Sequence, residues 1–200
     1  MGQIHGPNLG SPACLVTSAG ELFVSLASGG TTLNIDSTDS TLVTVNETFK
    51  QLHLGNHYVS HNVINSTDPG SFCFVVETPS GLNAPNVHMN FEVTSTGILE
   101  IKEFENVTSS GGTPSIPINS NRQSANTSQC SVAYNPDITS SGLLLGEWAF
   151  GVDNNKVKTG GDTSRLNEII LSPGSKYAWC METTSAEDII INADGFWYEH

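Results

Sequence analysis

Two hundred residues carry seven Lys and Arg against twenty Asp and Glu, a formal net charge of −13, and hydrophobic residues make up 37%. That balance repels phosphate backbones and anionic bilayers, which argues against nucleic-acid and membrane partners. The length suits one domain plus an appendage, and the chain is too apolar and too sparsely charged for global disorder.

The first residues lack the basic and apolar regions of a signal peptide, and no stretch is long enough to span a bilayer. Residues 1–47 read as an extended arm. Leu22-Phe23-Val24-Ser25-Leu26, Thr32-Leu33-Asn34-Ile35 and Thr41-Leu42-Val43-Thr44-Val45 are short β-prone runs separated by Gly, Ser, Thr and Asp. They are too short and polar to build a core alone. Such a segment is either a loosely packed extension or a docking arm that orders against another surface or chain.

From residue 48 to residue 200 the strand patterns become regular. His57 to Val63 is one strand, and Phe72 to Glu77, apolar on both faces, is a central one. Val87, Met89, Phe91 and Val93 alternate with His88, Asn90, Glu92 and Thr94, the mark of a half-buried antiparallel strand. Thr96-Gly97 reads as a hairpin turn into Ile98 to Phe104, and a phase change near Lys102 and Glu103 predicts a bulge. Ser109 to Pro114 breaks the chain. Strands follow at Val132 to Tyr134 and Leu143 to Phe150, then a polar loop from Asp153 to Ser164, and a strand from Arg165 to Leu171. Ser172-Pro173-Gly174-Ser175 is a turn. Tyr177, Trp179 and Met181 share one face of the next strand, and Ile189 to Ile191 and Phe196 to Tyr198 close the chain. No segment shows a sustained helical period. Roughly eight strands after residue 50 predict an all-β fold, an antiparallel sandwich or jelly roll behind the N-terminal arm.

The four cysteines, Cys14, Cys73, Cys130 and Cys180, form no C-x-x-C pair and lack zinc-site spacing. Cys73 and Cys180 lie in apolar runs and are expected to be free, buried thiols, since nothing indicates export. The G-x-S-x-G, P-loop, H-E-x-x-H and EF-hand patterns are absent. No catalytic residue, cofactor or metal site is therefore assigned. His53, His57 and His61 would share a face in a continuous strand, but Gly55-Asn56 is expected to interrupt it. Asp153-Asn154-Asn155 and Gly160-Gly161-Asp162 lack the spacing of a calcium loop. Tyr177, Trp179, Trp197 and Tyr198 are a sugar platform or, as their alternation favours, core.

The most distinctive stretch is Pro117 to Ser128, nearly devoid of apolar residues between two strand-rich regions. Arg122 is the only Lys or Arg between Lys102 and Lys156, and Asn119, Asn121, Gln123 and Asn126 surround it with amides that donate and accept hydrogen bonds. The candidate strap residues are Asn119, Asn121, Arg122, Ser124 and Asn126. It is either an exposed loop or a structural strap centred on Arg122.

The pattern Pro117-x-Asn119-x-Asn121-Arg122-x-Ser124-x-x-Thr127-Ser128 resembles a segment of structural proteins of tailed-bacteriophage virions. His53-x-Gly55-x-x-Tyr58, Leu171-Ser172-Pro173-Gly174-Ser175-Lys176-Tyr177 and Gly195-Phe196-Trp197-Tyr198-Glu199 resemble further segments of the same family, in the same order. Cys180 departs from it, standing in a strand where many relatives carry a basic residue nearby. The resemblance implies a trimeric jelly-roll module on the virion exterior, a head decoration, cement or fibre protein. Its expected partners are two further copies of the chain and the major capsid protein or other virion proteins. A receptor- or carbohydrate-binding fibre tip, contacting surface glycans, is the alternative.

Overall fold

The computed structural model describes side chains and backbone for residues 46–65, 70–149, 168–183 and 188–200, and backbone alone for 3–4, 13–16, 22–25, 66, 150 and 159–160. Met1–Asn46 and Glu47–His200 are two compact units. In the first, β1 (Gln3–Ile4), β2 (Ala13–Val16) and β3 (Leu22–Ser25) form an antiparallel sheet in that order. The expected runs at residues 32–35 and 41–45 lie outside the described residues, as does most of the loop 153–164 with its calcium-like fragments.

The second unit begins with α1 (Glu47–Leu54), then β4 (His57–Ser66), β5 (Gly70–Glu77), β6 (Val87–Ser95) and β7 (Leu99–Glu105). Short strands follow: β8 (Thr108–Ser110), β9 (Thr113–Ser115), β10 (Ile118–Asn119), β11 (Ser131–Tyr134) and β12 (Asp137–Ser140). The chain closes with β13 (Leu143–Phe150), β14 (Thr159–Gly160), β15 (Ile169–Leu171), β16 (Lys176–Thr183) and β17 (Ile189–Glu199). One sheet runs β10-β4-β17-β6, with β14 and β15 both on the far side of β6, and the other runs β13-β7-β16-β5-β11-β9. Every pairing is antiparallel. The central strands, β4-β17-β6-β15 against β5-β16-β7-β13, have the order of a jelly roll, an all-β sandwich of two facing sheets.

Period-two alternation puts Val87, Met89 and Val93 of β6 and Tyr177, Trp179 and Met181 of β16 into the core between the sheets. Phe91 stacks on Trp179 at 5.0 Å between ring centroids, and Phe74 packs against both rings. Gly195 sits mid-strand in β17 because a Cβ there would meet Phe74 at 2.7 Å and Met89 at 2.8 Å. The missing side chain is the space those two occupy.

Four expectations need correction. The segment before His57 is a two-turn helix, too short to show a period. Thr96-Gly97 joins no hairpin: β6 and β7 belong to opposite sheets, so the turn carries the chain across the sandwich. The irregularity expected near Glu103 falls on the partner strand, where the pairing shifts between Leu144 and Gly146, opposite Phe104 and Glu103. Cys73 and Cys180 are bonded to each other and not free. They are direct partners in the β5–β16 register, with Cα atoms 4.1 Å apart, so two residues 107 positions apart in sequence meet because the sheet sets them opposite. The bridge lies on the outer face of its sheet, in a small apolar layer with Val75, Ala178 and Val107, flanked by Phe104 and Ile138.

Candidate functional site

The polar strap is built around the end of α1. Asn46, a favoured N-cap residue type, precedes Glu47, and Glu47 accepts a 2.7 Å hydrogen bond from the buried Gln51 side chain. That bond holds the Glu47 carboxyl below the usual carboxylate range. Gln51 in turn accepts from the Asn56 side chain at 3.0 Å. The helix stops at Gly55, whose φ of +76° is left-handed. The Gly55 N–H bonds Leu52 O and the Asn56 N–H bonds Gln51 O, the paired closure of a Schellman motif.

A helix end leaves carbonyls without intrahelical partners, and here the strap supplies donors to them. Asn121 Nδ2 donates to His53 O at 3.1 Å, Asn126 Nδ2 to Leu54 O at 3.4 Å, and Asn119 Nδ2 to Gly55 O at 2.8 Å. Asn119 is also the internal hinge of the strap. Its Nδ2 donates to Asn126 O at 3.0 Å and its Oδ1 accepts the Asn121 N–H at 2.9 Å. Ser124 Oγ accepts the Asn126 N–H. Ser124 lies against Gly55 so closely that a Cβ on the glycine would be 2.4 Å from the serine Cβ. Four of the five expected strap residues, Asn119, Asn121, Ser124 and Asn126, thus converge on one helix terminus.

Arg122 does not centre them. It is exposed and makes one long contact, Nη1 to Asn119 O at 3.4 Å, with its own turn. The buried centre is Asn119, because an amide offers both donors and an acceptor to backbone groups on either side, which a guanidinium cannot.

The strap continues into the end of the chain. Glu199, itself buried, accepts from Ser128 Oγ at 2.6 Å, from the Gln129 N–H and from Trp197 Nε1 at 3.0 Å. Its N–H bonds Asn56 O. Ser120 anchors the strap to β4, through its N–H to His57 O and its Oγ to His57 Nδ1 at 2.7 Å. Burial pushes the His57 imidazole below its ordinary value and the Tyr58 phenol above its own, with Glu199 adding to the latter. Burial, then Glu199, also raises the Cys130 thiol well beyond its ordinary range, which leaves it a packed and unreactive group. A cleft of about 550 Å³ opens beside this network, lined by Asn56, Tyr58, Pro85, Asn126, Gln129 and Glu199 among others.

Three of the four segments behind the family resemblance therefore meet at one place. His53 and Gly55 accept hydrogen bonds from the strap, Tyr58 pairs with Asn119 across β4 and β10, and Ser128 contacts Trp197 and Glu199. The fourth, Leu171 to Tyr177, is held by Thr78, whose Oγ1 donates to Ser172 O at 2.7 Å and accepts the Ser175 N–H. Sequence reasoning missed the role of Glu199. The only signal was its place between two aromatic residues and the last residue, on a strand whose alternation points it at the strap.

The other considered sites disperse. His53 lies on α1 against Phe49, whereas His57 and His61 lie on β4, where His61 bonds Asp194 at 2.9 Å. Among the described residues, no group of three or more His, Cys, Asp or Glu is placed to hold a metal ion. Tyr177, Trp179, Trp197 and Tyr198 are all buried, so none presents a ring face to a sugar. No helix among the described residues is long and apolar enough to cross a membrane. Comparison with protein-family models, with curated proteins and with solved structures finds no match.

Proposed function

We propose that the chain is a structural protein of a tailed-bacteriophage virion, a capsid decoration or cement protein. In this reading it acts as a homotrimer, by multivalent binding to the major capsid protein on the head exterior and not by catalysis. It is assembled in the host cytoplasm and works on the released particle. The observation that carries the reading is the convergence of the resembling segments on one polar constellation whose hydrogen bonds go to backbone groups, to Glu199 and to one another. Residues arranged for chemistry leave lone pairs or protons free for a substrate; here the amides of Asn119, Asn121 and Asn126 are taken up by backbone carbonyls and neighbouring side chains. The Cys73–Cys180 bridge supports a working place outside reducing cytoplasm, since disulfides persist on virion and cell surfaces. The acidic surface keeps particles that display many copies from clumping.

Electron microscopy of the intact virion tests this. The expected result is sandwich-shaped density at regular positions on the head, with the N-terminal unit against the shell. Density confined to the tail would favour a carbohydrate-binding fibre tip, a second reading for which the amide- and hydroxyl-lined cleft provides a place. Absence from the particle would overturn both.

A further inference from the structure

The two long edges of the sandwich are apolar in a complementary way. On one edge β13 pairs with β7 alone among the described residues, leaving the other side of an eight-residue strand open. It exposes Leu143 (57%), Leu144 (47%) and Leu145 (45%), and Trp148 further along the same strand. A strand of this length, about 27 Å, with no second partner among the described residues and three consecutive exposed leucines, is a ready template for association. Among the described residues its rim is acidic: Glu100, Glu147 and Glu182 surround the ammonium of Lys102 at 4.0, 3.6 and 3.3 Å.

The opposite edge is where the chain crosses from β9, last strand of one sheet, to β10, last strand of the other. It exposes Ile116 (88%) and Ile118 (47%). Four residues further on stands Arg122, exposed, its guanidinium held among the described residues only by the long contact to Asn119 O. One edge thus offers leucines within a carboxylate rim, and the other offers isoleucines beside a cation.

We propose that copies of this chain join head to tail, the β13 edge of one against the Ile116–Arg122 edge of the next. The occupant is a second copy because the two patches match in both apolar character and charge and lie on opposite sides of the same module. A twofold β13–β13 contact would instead bring two acidic rims together in a chain that already carries −13. Unlike patches on opposite edges make a heterologous contact, which closes into a ring when the rotation between copies allows it. The inference deepens the trimer reading above and rests on it for the number of copies in the ring.

Paired cysteines test the contact. In full-length chain with Cys14→Ser, the variants Leu144→Cys and Ile116→Cys are treated with a short bismaleimide, separately and mixed. The expected result is a covalent dimer in the mixture and none from either variant alone. A chain carrying both changes should crosslink up to one limiting species, which counts the copies. Crosslinking of Leu144→Cys alone would overturn the proposal in favour of a twofold contact. An oligomer by light scattering that fails to crosslink, or a monomer at every concentration, would also overturn it. Leu144→Glu is already at an exposed site, so its melting curve should be unchanged while self-association weakens at least tenfold. A chain that crosslinks as expected but is absent from virions leaves the contact standing and overturns the virion role; virion-bound chain without the crosslink does the reverse.

Discussion

The strap around Asn119 and the edge strand β13 reverse the usual relation between composition and exposure. The strap is strongly polar, yet its amides are directed inward, to helix carbonyls and to one another. β13 opens with three leucines that remain exposed. Polarity there closes a structure, and apolarity leaves one open. A polar sequence is therefore a poor guide to a binding surface when its groups satisfy each other, and an apolar edge is a better one.

The sharpest way to break that contrast is at Gly55, on which the strap rests. Gly55→Ala puts a Cβ onto a left-handed residue and into contact with the Ser124 side chain. The combined backbone strain and crowding should cost about 2–4 kcal/mol in urea unfolding. A loss below about 1 kcal/mol would mean that the strap moves freely and is no structural element. Asn119→Ala comes next. It removes the partner of Asn126 O and of the Asn121 N–H, leaves Gly55 O only the long bond from the Tyr58 hydroxyl, and should cost about 2 kcal/mol. A cost matching that of an ordinary surface change would move the centre of the strap elsewhere.

Much of the sandwich was legible because its signals are local. The alternation in β6 and the facing of Tyr177, Trp179 and Met181 are period-two patterns that survive any choice of partner strand. What failed depended on pairing. Thr96-Gly97 looks the same whether the next strand returns beside β6 or crosses to the other sheet, and Cys73 meets Cys180 only once β5 and β16 are in register. α1 was missed because eight residues give barely two turns of pattern, although Asn46-Glu47 at its start and Gly55 at its end are ordinary boundary residues. In the strap, Asn119, Asn121, Ser124 and Asn126 come together and Asn119 is the buried one, while Arg122 is exposed. Charge drew attention to Arg122, whereas burial selects the side chain that both donates and accepts.

Beside the open edge, Glu103 offers a smaller test. Its Oε1 is buried without a hydrogen-bond partner among the described residues, and burial raises its carboxyl above the usual range. The folded chain therefore holds this proton to higher pH than the unfolded chain does. From the ordinary Glu value upward the native state binds more protons, so stability falls as pH rises through the window between the two values. Glu103→Gln should raise Tm at pH 7.5, and the gain should shrink to nothing by about pH 4. A gain independent of pH would assign the effect to packing and not to the buried charge.

The smallest effect on folding belongs to Arg122, and it separates the two regions most directly. With one long hydrogen bond to its own turn, Arg122→Ala should change folding stability by no more than about 0.5 kcal/mol. If the guanidinium meets the carboxylate rim of a neighbouring copy, the same change should weaken self-association, and added salt should weaken the unsubstituted chain toward the same level. A folding loss comparable to that of Asn119→Ala would restore Arg122 to the centre of the strap. Unchanged folding with unchanged association would leave the β13 leucines to hold copies together without help from charge.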